Sequence, residues 1–236
     1  MKPYYESELV TLYHADSFEV METMEEESID CVITDPPFTE RTHRKHTKKV
    51  AGGKFSHGVK EFDSFTEKAL YLSFSEMARL SKGWVISSLD YNHAFKFEDL
   101  PPENLRQMRI GVWVKKNATP QISGDRPAQG WEAISYLHRK DKKAIWNGGG
   151  HHGNYVTNIP TATGHPTPKS LTMLSSFVER FTNLGDTILD PFAGGGTTLV
   201  AARNLGRKVI GVELDEKYCE LIANRLSQEA FDFGGI

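Results

Sequence analysis

The chain contains 236 residues, of which 39% are hydrophobic and 25% are charged, as is ordinary for a globular protein with one sizeable core. No apolar run approaches the roughly 18 residues needed to cross a bilayer, and the amino terminus lacks the pattern of a signal peptide. We therefore expect one compact domain that works in the cytoplasm without a membrane partner. Cys31 lies in an apolar strand and Cys219 on a predicted helix, so the cysteines predict neither a disulfide framework nor a metal site.

Strand-like and helix-like segments alternate along the chain. The strand-like segments, several continuously apolar as buried parallel strands are, read ELVTLYHA, IDCVITD, GWVISSL, RIGVWVKK, EAISYLHRK, TILDPF and KVIGVEL. Helices are predicted in FTEKALYLSFSEMARLSK, where Leu70, Phe74, Met77 and Leu80 share one face, and in GTTLVAARNLG and DEKYCELIANRLSQEAF. The alternation predicts an α/β fold with a mostly parallel central sheet. RIGVWVKK and EAISYLHRK have no helix between them, which predicts an antiparallel hairpin at one edge.

Two segments lack periodicity and are predicted to be long loops, residues 39–62 and 141–164. The formal net charge of −3 is unevenly distributed, because residues 41–60 hold seven Lys or Arg, three His and no acid, whereas the first thirty residues hold nine acids and one lysine. Such a basic run is about as often a solvated loop as a ligand contact. In the second segment His151 and His152 have no Cys or acid at ligand spacing, which favours a loop or nucleic-acid contact over a metal site.

The segment TDPPF, residues 34–38, follows the apolar run IDCVI. A Pro-Pro pair cannot continue a central strand, and it holds the chain in one stiff, extended shape between a carboxylate and an aromatic ring. Taken alone, the segment would more often be a turn that ends a strand.

The segment TILDPFAGGGTTLVAARNLGRKVIGVELD combines a strand, a glycine turn, a helix and a second strand that ends in an acid, which is half of a nucleotide-binding fold. Leu199 stands where a dinucleotide fingerprint requires a third glycine, which argues against a nicotinamide oxidoreductase. The charge of Asp190 at the strand tip would oppose a pyrophosphate and suit a cation. A positively charged nucleoside without phosphates, such as S-adenosyl-L-methionine, fits this pattern.

TDPPF followed later by ILDPFAGGGTT resembles the amino-methylating DNA methyltransferases of the permuted beta group, in which the catalytic element precedes the glycine loop. HADSFEVM, residues 14–21, is similar to the segment of this family that contacts the cofactor adenine, and HPTPKSLTMLSSFV, residues 165–178, to the one that holds the methionine end. The resemblance implies a Rossmann-like fold with circularly permuted motif order, a single methyltransferase domain over residues 1–236, and S-adenosyl-L-methionine as cofactor. The cofactor-binding residues it implies are Asp16, Ser17, His165, Thr167, Lys169, Asp190, Phe192, Gly194, Gly196, Thr197 and Glu213.

The sequence departs from the family pattern at three positions. Phe38 stands where tyrosine is common, Gly195 where serine is common, and Ser170 where proline is common. None of these changes removes a charge or a needed backbone shape.

The resemblance assigns catalysis to Asp35, Pro36, Pro37 and Phe38. Ionised Asp35 and the carbonyl of Pro36 would accept the two hydrogens of an exocyclic amino group, so that its lone pair faces the sulfonium methyl group. Phe38 would stack on the base, which must first flip out of the duplex. Asp35 favours adenine-N6 over cytosine-N4 methylation, since cytosine-directed members of the family more often carry serine there.

Double-stranded DNA is the expected partner. The basic loop 39–62 is predicted to contact phosphates through Arg41, Arg44, Lys45, Lys48, Lys49 and Lys54. Segment 141–164 is a small candidate target-recognition insertion, although Trp146 and Tyr155 could simply anchor it to the core. A cognate restriction endonuclease is a candidate partner in a bacterial or phage-infected cell. The remaining alternatives are methylation of an RNA base or of a protein glutamine amide, and a nucleic-acid-binding protein that has lost catalysis.

Overall fold

The computed structural model describes residues 1–37, 65–120, 124–161 and 164–229, together with the backbone of two short strands at 55–57 and 59–62. Within these residues nine strands form one sheet in the order β1-β2-β11-β10-β3-β6-β8-β7-β9. These strands are β1 Tyr5–Glu6, β2 Val10–His14, β3 Ile29–Thr34, β6 Ser81–Leu89, β7 Leu105–Lys115, β8 Trp131–Arg139, β9 Asn154–Thr157, β10 Thr187–Asp190 and β11 Lys208–Glu213. The strands β4 Phe55–His57 and β5 Val59–Phe62 form a separate antiparallel pair.

Helices cover both faces of the sheet. They are α1 Ser17–Glu22, α2 Glu67–Leu80, α3 Tyr91–Asp99, α4 Leu171–Phe181, α5 Thr197–Asn204 and α6 Glu216–Glu229. In four of them the N-cap residue has a side chain that accepts a hydrogen bond from a backbone N–H of the first turn, the most favourable kind of helix start. These capping residues are Asp16, Thr66, Asp90 and Ser170.

The sheet separates two apolar cores because successive side chains of a strand point to opposite faces. On β3, Ile33 contributes to the core beneath α4, α5 and α6, whereas Val32 contributes to the core beneath α1, α2 and α3. The predicted apolar face of α2 is buried at all four positions. The parallel strands are therefore covered on both sides, as their continuously apolar sequences require.

Strands β2, β11, β10, β3 and β6 run parallel, which confirms the predicted α/β fold with a mostly parallel sheet. The predicted hairpin exists, but β8 lies between β6 and β7, and β9 pairs with the outer side of β7. Part of segment 141–164 is thus a strand rather than a loop. The four residues NYVT are too few to show a period, and their pairing with β7 supplies the order that the sequence does not reveal.

No helix in the described part of the chain is long and apolar enough to cross a membrane. Cys31 and Cys219 are buried and free. Among the described residues no group of three or more His, Cys, Asp or Glu side chains is arranged to hold a metal ion.

Candidate active site

The parallel strands end at one edge of the sheet, and the charged residues that follow them meet there. Asp190 is the last residue of β10, Glu213 the last of β11, and Asp35 directly follows β3. Asp16 follows β2 and caps α1. In open α/β sheets this carboxyl edge is where ligands bind, so the fold brings the predicted catalytic and cofactor-binding segments together.

Asp190 joins the two halves of the site. Its Oδ1 accepts a hydrogen bond from Thr34 Oγ1 at 2.8 Å and another from the backbone N–H of Phe192 at 3.2 Å. Burial raises the pKa of Asp190 to about 6, against the lowering effect of hydrogen bonds from Thr198 and Thr34. Thr34, the residue before Asp35, is therefore connected through Asp190 to the start of the glycine loop.

The glycine loop has a backbone that favours glycine. Gly194 and Gly196 have φ values of 52° and 74°, in the left-handed region. A Cβ atom on Gly196 would lie 2.7 Å from Cγ1 of Ile222, so α6 packs directly against this turn. Gly196 also caps the start of α5, so the loop brings the amino terminus of this helix to the carboxyl edge.

Glu213 holds the glycine loop against the end of β11. Its Oε2 accepts the N–H of Gly194 at 2.8 Å, and its Oε1 accepts the N–H of Asp215 at 2.9 Å. Burial raises the pKa of Glu213 above its usual value, although these backbone hydrogen bonds lower it. Each carboxylate oxygen has a second lone pair, so the cofactor-binding role predicted for Glu213 is compatible with this arrangement.

Asp16 and Ser17 carry buried polar atoms that suit a ligand. Oδ1 of Asp16 accepts the N–H of Phe18 at 2.8 Å. Oδ2 of Asp16 and Oγ of Ser17 are buried and have no hydrogen-bond partner among the described residues. Since buried polar atoms without partners are costly, these two atoms fit the amino group and ring nitrogens of an adenine.

The other predicted cofactor residues surround the same loop. His165 lies against it, because a Cβ atom on Gly195 would be 3.0 Å from Cβ of His165. The His165 ring meets Tyr218 edge-on with centroids 4.7 Å apart, and its Nδ1 accepts the N–H of Thr167 at 3.3 Å. Thr197 is buried at the start of α5. Phe192 packs edge-on against Phe65 with centroids 5.4 Å apart.

Asp35 lies in a line of alternating charges that the sequence did not reveal. Nζ of Lys169 is 2.8 Å from Oδ2 of Asp35 and 2.5 Å from Oε1 of Glu132. Oε2 of Glu132 is in turn 2.7 Å from Nζ of Lys115. Oδ1 of Asp35 is buried and has no hydrogen-bond partner among the described residues. The line thus leaves one carboxylate oxygen of Asp35 available.

The charges in this line shift one another's pKa. Burial raises the pKa of Asp35 to about 6, and the charge of Glu132 adds to this effect while Lys169 lowers it. Burial favours the neutral form of Lys169, but the carboxylates of Asp35 and Glu132 hold its pKa above the usual range. Burial also opposes ionisation of Glu132, yet the two lysines keep its pKa below the ordinary value.

Not every predicted residue can be located. Pro36 is buried and Pro37 half-buried beside Asp35. Phe38 and the six predicted DNA contacts lie outside the described residues, namely Arg41, Arg44, Lys45, Lys48, Lys49 and Lys54. Glu132 and Lys115 were not predicted. The available signal was an acid at the start of the predicted hairpin strand EAISYLHRK; because β8 runs antiparallel to β6, its start lies at the carboxyl edge.

The described part of segment 141–164 contributes β9 at the outer edge of the sheet and also contacts the end of α4. Tyr155 is 9% exposed and belongs to the apolar core, and the ring of Trp146 packs on Phe181 with centroids 5.5 Å apart. Both aromatic residues therefore anchor the segment. His151 and His152 are exposed and line a cleft of about 330 Å³ between β9 and α4, where Nδ1 of His151 is 3.2 Å from an Nη atom of Arg180.

Comparison with known proteins gives one consistent result. A family model described as DNA methylase matches residues 138–225. The type II methyltransferase M2.LlaDCHI of Lactococcus lactis subsp. cremoris is 30% identical, covering 97% of this chain and 93% of that protein. The type II methyltransferase M2.DpnII of Streptococcus pneumoniae is 27% identical with the same coverage. The crystal structure of the M1.HpyAVI-SAM complex is 26% identical and superposes with a TM-score of 0.69, covering 92% of this chain and all of that one.

The fold and the comparisons define a methyltransferase that uses S-adenosyl-L-methionine. The chain belongs to the N6/N4 DNA methylase family, whose members transfer a methyl group to an exocyclic amino group of a DNA base at specific sites. The predicted family, fold, cofactor and DNA substrate are confirmed.

Proposed function

We propose that the chain methylates the N6 amino group of adenine in double-stranded DNA, after the target base has flipped out of the duplex. The family acts on adenine or cytosine, and the choice of adenine rests on Asp35. The resemblance to the permuted beta group implies serine more often than aspartate at this position in cytosine-directed members. The observation that carries the proposal is the buried Oδ1 of Asp35, which has no partner among the described residues.

The amino group of adenine is a poor nucleophile, because its lone pair is delocalised into the ring. Oδ1 of Asp35 accepts one amino hydrogen and the carbonyl oxygen of Pro36 accepts the other. With both hydrogens held, the nitrogen can become tetrahedral and direct its lone pair at the methyl donor. S-adenosyl-L-methionine supplies that methyl group on a positively charged sulfur. The fixed φ of Pro36 and Pro37 sets the direction of these acceptors.

Phe38 stacks on the flipped base in this proposal. A flipped base loses a few kcal/mol of stacking and pairing energy, and an aromatic face returns part of it. Phenylalanine offers the ring without the hydroxyl of tyrosine, so its contribution is stacking alone.

The cofactor pocket is proposed to divide into three parts. Asp16 and Ser17 bind the adenine ring through their buried polar atoms, and Glu213 binds the ribose. Asp190, with the glycine loop and Thr197, surrounds the methionine portion and its positive charge. His165, Thr167 and Phe192 close the pocket around the loop. The buried atoms without partners at Asp16 and Ser17 support this assignment.

The basic segment 39–62 is proposed to contact DNA phosphates, and His151 and His152 to contribute to target recognition from the outer edge. Because Trp146 and Tyr155 anchor their segment, we assign the proposed recognition contacts there to its exposed polar side chains. A cognate restriction endonuclease and a cytoplasmic location in a bacterial or phage-infected cell remain predictions.

The test is methylation of unmethylated genomic DNA with isotopically labelled S-adenosyl-L-methionine, followed by digestion to nucleosides and mass spectrometry. We expect the label in 6-methyladenine. Label in 4-methylcytosine would overturn the choice of base and leave the amino-transfer chemistry intact. Asp35→Ala should abolish transfer while cofactor affinity, measured by calorimetry, stays within about twofold, since the carboxylate acts on the acceptor. A fully active Asp35→Ala variant would refute the mechanism.

A further inference from the structure

Four side chains from three strand ends and one connecting segment form a continuous line of ion pairs. In order, they are Asp35 after β3, Lys169 before α4, Glu132 at the start of β8, and Lys115 at the end of β7. The side chains of Lys169 and Glu132 are each 10% exposed. The ring centroid of buried Trp113 lies 4.8 Å from Nζ of Lys115 and 6.0 Å from Nζ of Lys169. The middle of the line is thus largely buried, whereas the side chains of Asp35 and Lys115 at its ends are 29% and 23% exposed.

Lys169 determines which oxygen of Asp35 can act. It engages Oδ2, and Oδ1 is the oxygen without a partner among the described residues. Holding one oxygen fixes the plane of the carboxylate, so the other points in a set direction. A buried carboxylate with no cation beside it also tends to take up a proton. Protonated Asp35 would be a weaker hydrogen-bond acceptor for the amino group than the ionised carboxylate.

Glu132 determines where Lys169 can be. A lysine ammonium is a point charge on a flexible four-carbon stem, and a single ion pair to Asp35 would leave that stem mobile. The contact at 2.5 Å with Glu132 fixes the ammonium from the opposite side. Lys115 then balances the charge of Glu132, so the second acid does not leave an excess negative charge beside Asp35.

We propose that Lys169 is the positioning residue of Asp35, held in place by Glu132 and Lys115, and that it orients Oδ1 toward the target amino group. The inference rests on the proposed function, because it requires Asp35 to act on the acceptor. It gives Lys169 a role in the reaction step, distinct from the contact with the methionine end of the cofactor that the sequence predicts.

The proposed positioning of Asp35 by Lys169 predicts how the pH dependence of methyl transfer changes when the charges around Asp35 are altered. The charged groups that face Asp35 are Lys169, Glu132 and Lys115 in the line and Asp190 on β10. Transfer requires ionised Asp35, so the rate falls as the pH falls through the pKa of this carboxyl. Lys169→Met removes a positive charge and should move this acidic limb to higher pH, by on the order of one unit. Glu132→Gln removes a negative charge, keeps an oxygen for Lys169, and should move the limb to lower pH.

The experiment compares the wild type, Lys169→Met, Glu132→Gln and a matched control, Lys82→Met. Lys82 pairs with Asp30 at 2.6 Å, at the opposite end of β3 from Asp35. For each protein we would measure kcat on DNA as a function of pH and the calorimetric affinity for S-adenosyl-L-methionine. Carboxyl ¹³C resonances of labelled aspartate, with Asp35→Asn for assignment, report the pKa of Asp35 without turnover.

We expect Lys169→Met to lower kcat about 100-fold, the size of effect that misplacing a reacting group by about 1 Å can produce. Cofactor affinity should stay within about twofold, and Lys82→Met should match the wild type. The acidic limbs of the pH–kcat profiles of Lys169→Met and Glu132→Gln should move in opposite directions. Weaker cofactor binding with an unchanged kcat at saturating S-adenosyl-L-methionine, or acidic limbs that move in the same direction, would overturn the inference.

Two further outcomes are separable. If Lys169→Met does not fold by circular dichroism, Glu132→Gln decides alone, and an unchanged pH profile with unchanged kcat would refute the proposed line. If the wild type transfers no methyl group to DNA, the proposed function fails. The NMR titration then still tests whether Lys169 and Glu132 act on Asp35 in opposite directions.

Discussion

Replacing Gly196 with alanine should damage both the stability of the fold and the binding of the cofactor. Gly196 has a φ of 74°, and an added Cβ would lie 2.7 Å from Cγ1 and 3.0 Å from Cγ2 of Ile222. An alanine in the left-handed region costs roughly 1–2 kcal/mol, and forcing a methyl group into a packed contact costs about 1–3 kcal/mol more. The free energy of unfolding should therefore fall by about 3 kcal/mol.

The matched control is Gly185→Ala. Gly185 has a φ of 82° but nothing within 4 Å of the added Cβ, so this variant reports backbone strain alone, roughly 1–2 kcal/mol. Urea denaturation of both variants isolates the contact with Ile222 by subtraction. Calorimetry should show weaker binding of S-adenosyl-L-methionine for Gly196→Ala and unchanged binding for Gly185→Ala. Equal destabilisation of the two variants, with wild-type affinity in both, would refute the reasoning.

Two other predictions concern Asp190 and the basic segment. Burial raises the folded-state pKa of Asp190 from 3.8 to about 6, so its contribution to stability is full at low pH and is lost as the pH rises through the folded pKa. Asp190→Asn should flatten the decline of unfolding free energy between about pH 4 and pH 7 in urea denaturation, and an unchanged decline would contradict the burial argument. The affinity for DNA falls as the salt concentration rises. Replacing Lys48 and Lys49 with glutamine should make the slope of log affinity against log salt less steep by about 0.9 for each phosphate that the variant no longer neutralises. Lys82→Gln, in an ion pair with Asp30, is the control that should leave the slope unchanged.

The parallel strands were predictable because each is a short apolar run that must be covered on both faces. Helix α3 was missed, since its sequence YNHAFKFED mixes three buried residues with an exposed Phe95 and shows no clear stripe. Strand β9 was missed because it is four residues long and owes its order to pairing with β7.

The residues of the site likewise fall into those that local sequence patterns predicted and those that they did not. Asp35, Asp190 and the glycines follow strand ends within recognisable local patterns, and local patterns can be read from a single sequence. The partnership of Lys169 with Glu132 joins residues 37 positions apart, and that with Asp35 joins two different segments of the sheet edge. No local sequence pattern around these residues predicts such a contact, because it forms only when β6 pairs with both β3 and β8 and so brings their ends to the same edge of the sheet.

The pairing of β3 with β10 also constrains how the protein acquires its site during synthesis. The side chains of Thr34 and Asp190 form a hydrogen bond of 2.8 Å although the two residues are 156 positions apart in the sequence. Strand β2 likewise pairs with β11, which is synthesised much later. Contacts of such long sequence separation slow folding, because the intervening chain must be ordered before they form. The early strands of a nascent chain therefore leave the ribosome with open edges. The residues proposed to bind the cofactor are not all present until the glycine loop has been made, so methyl transfer is not expected from an incomplete chain.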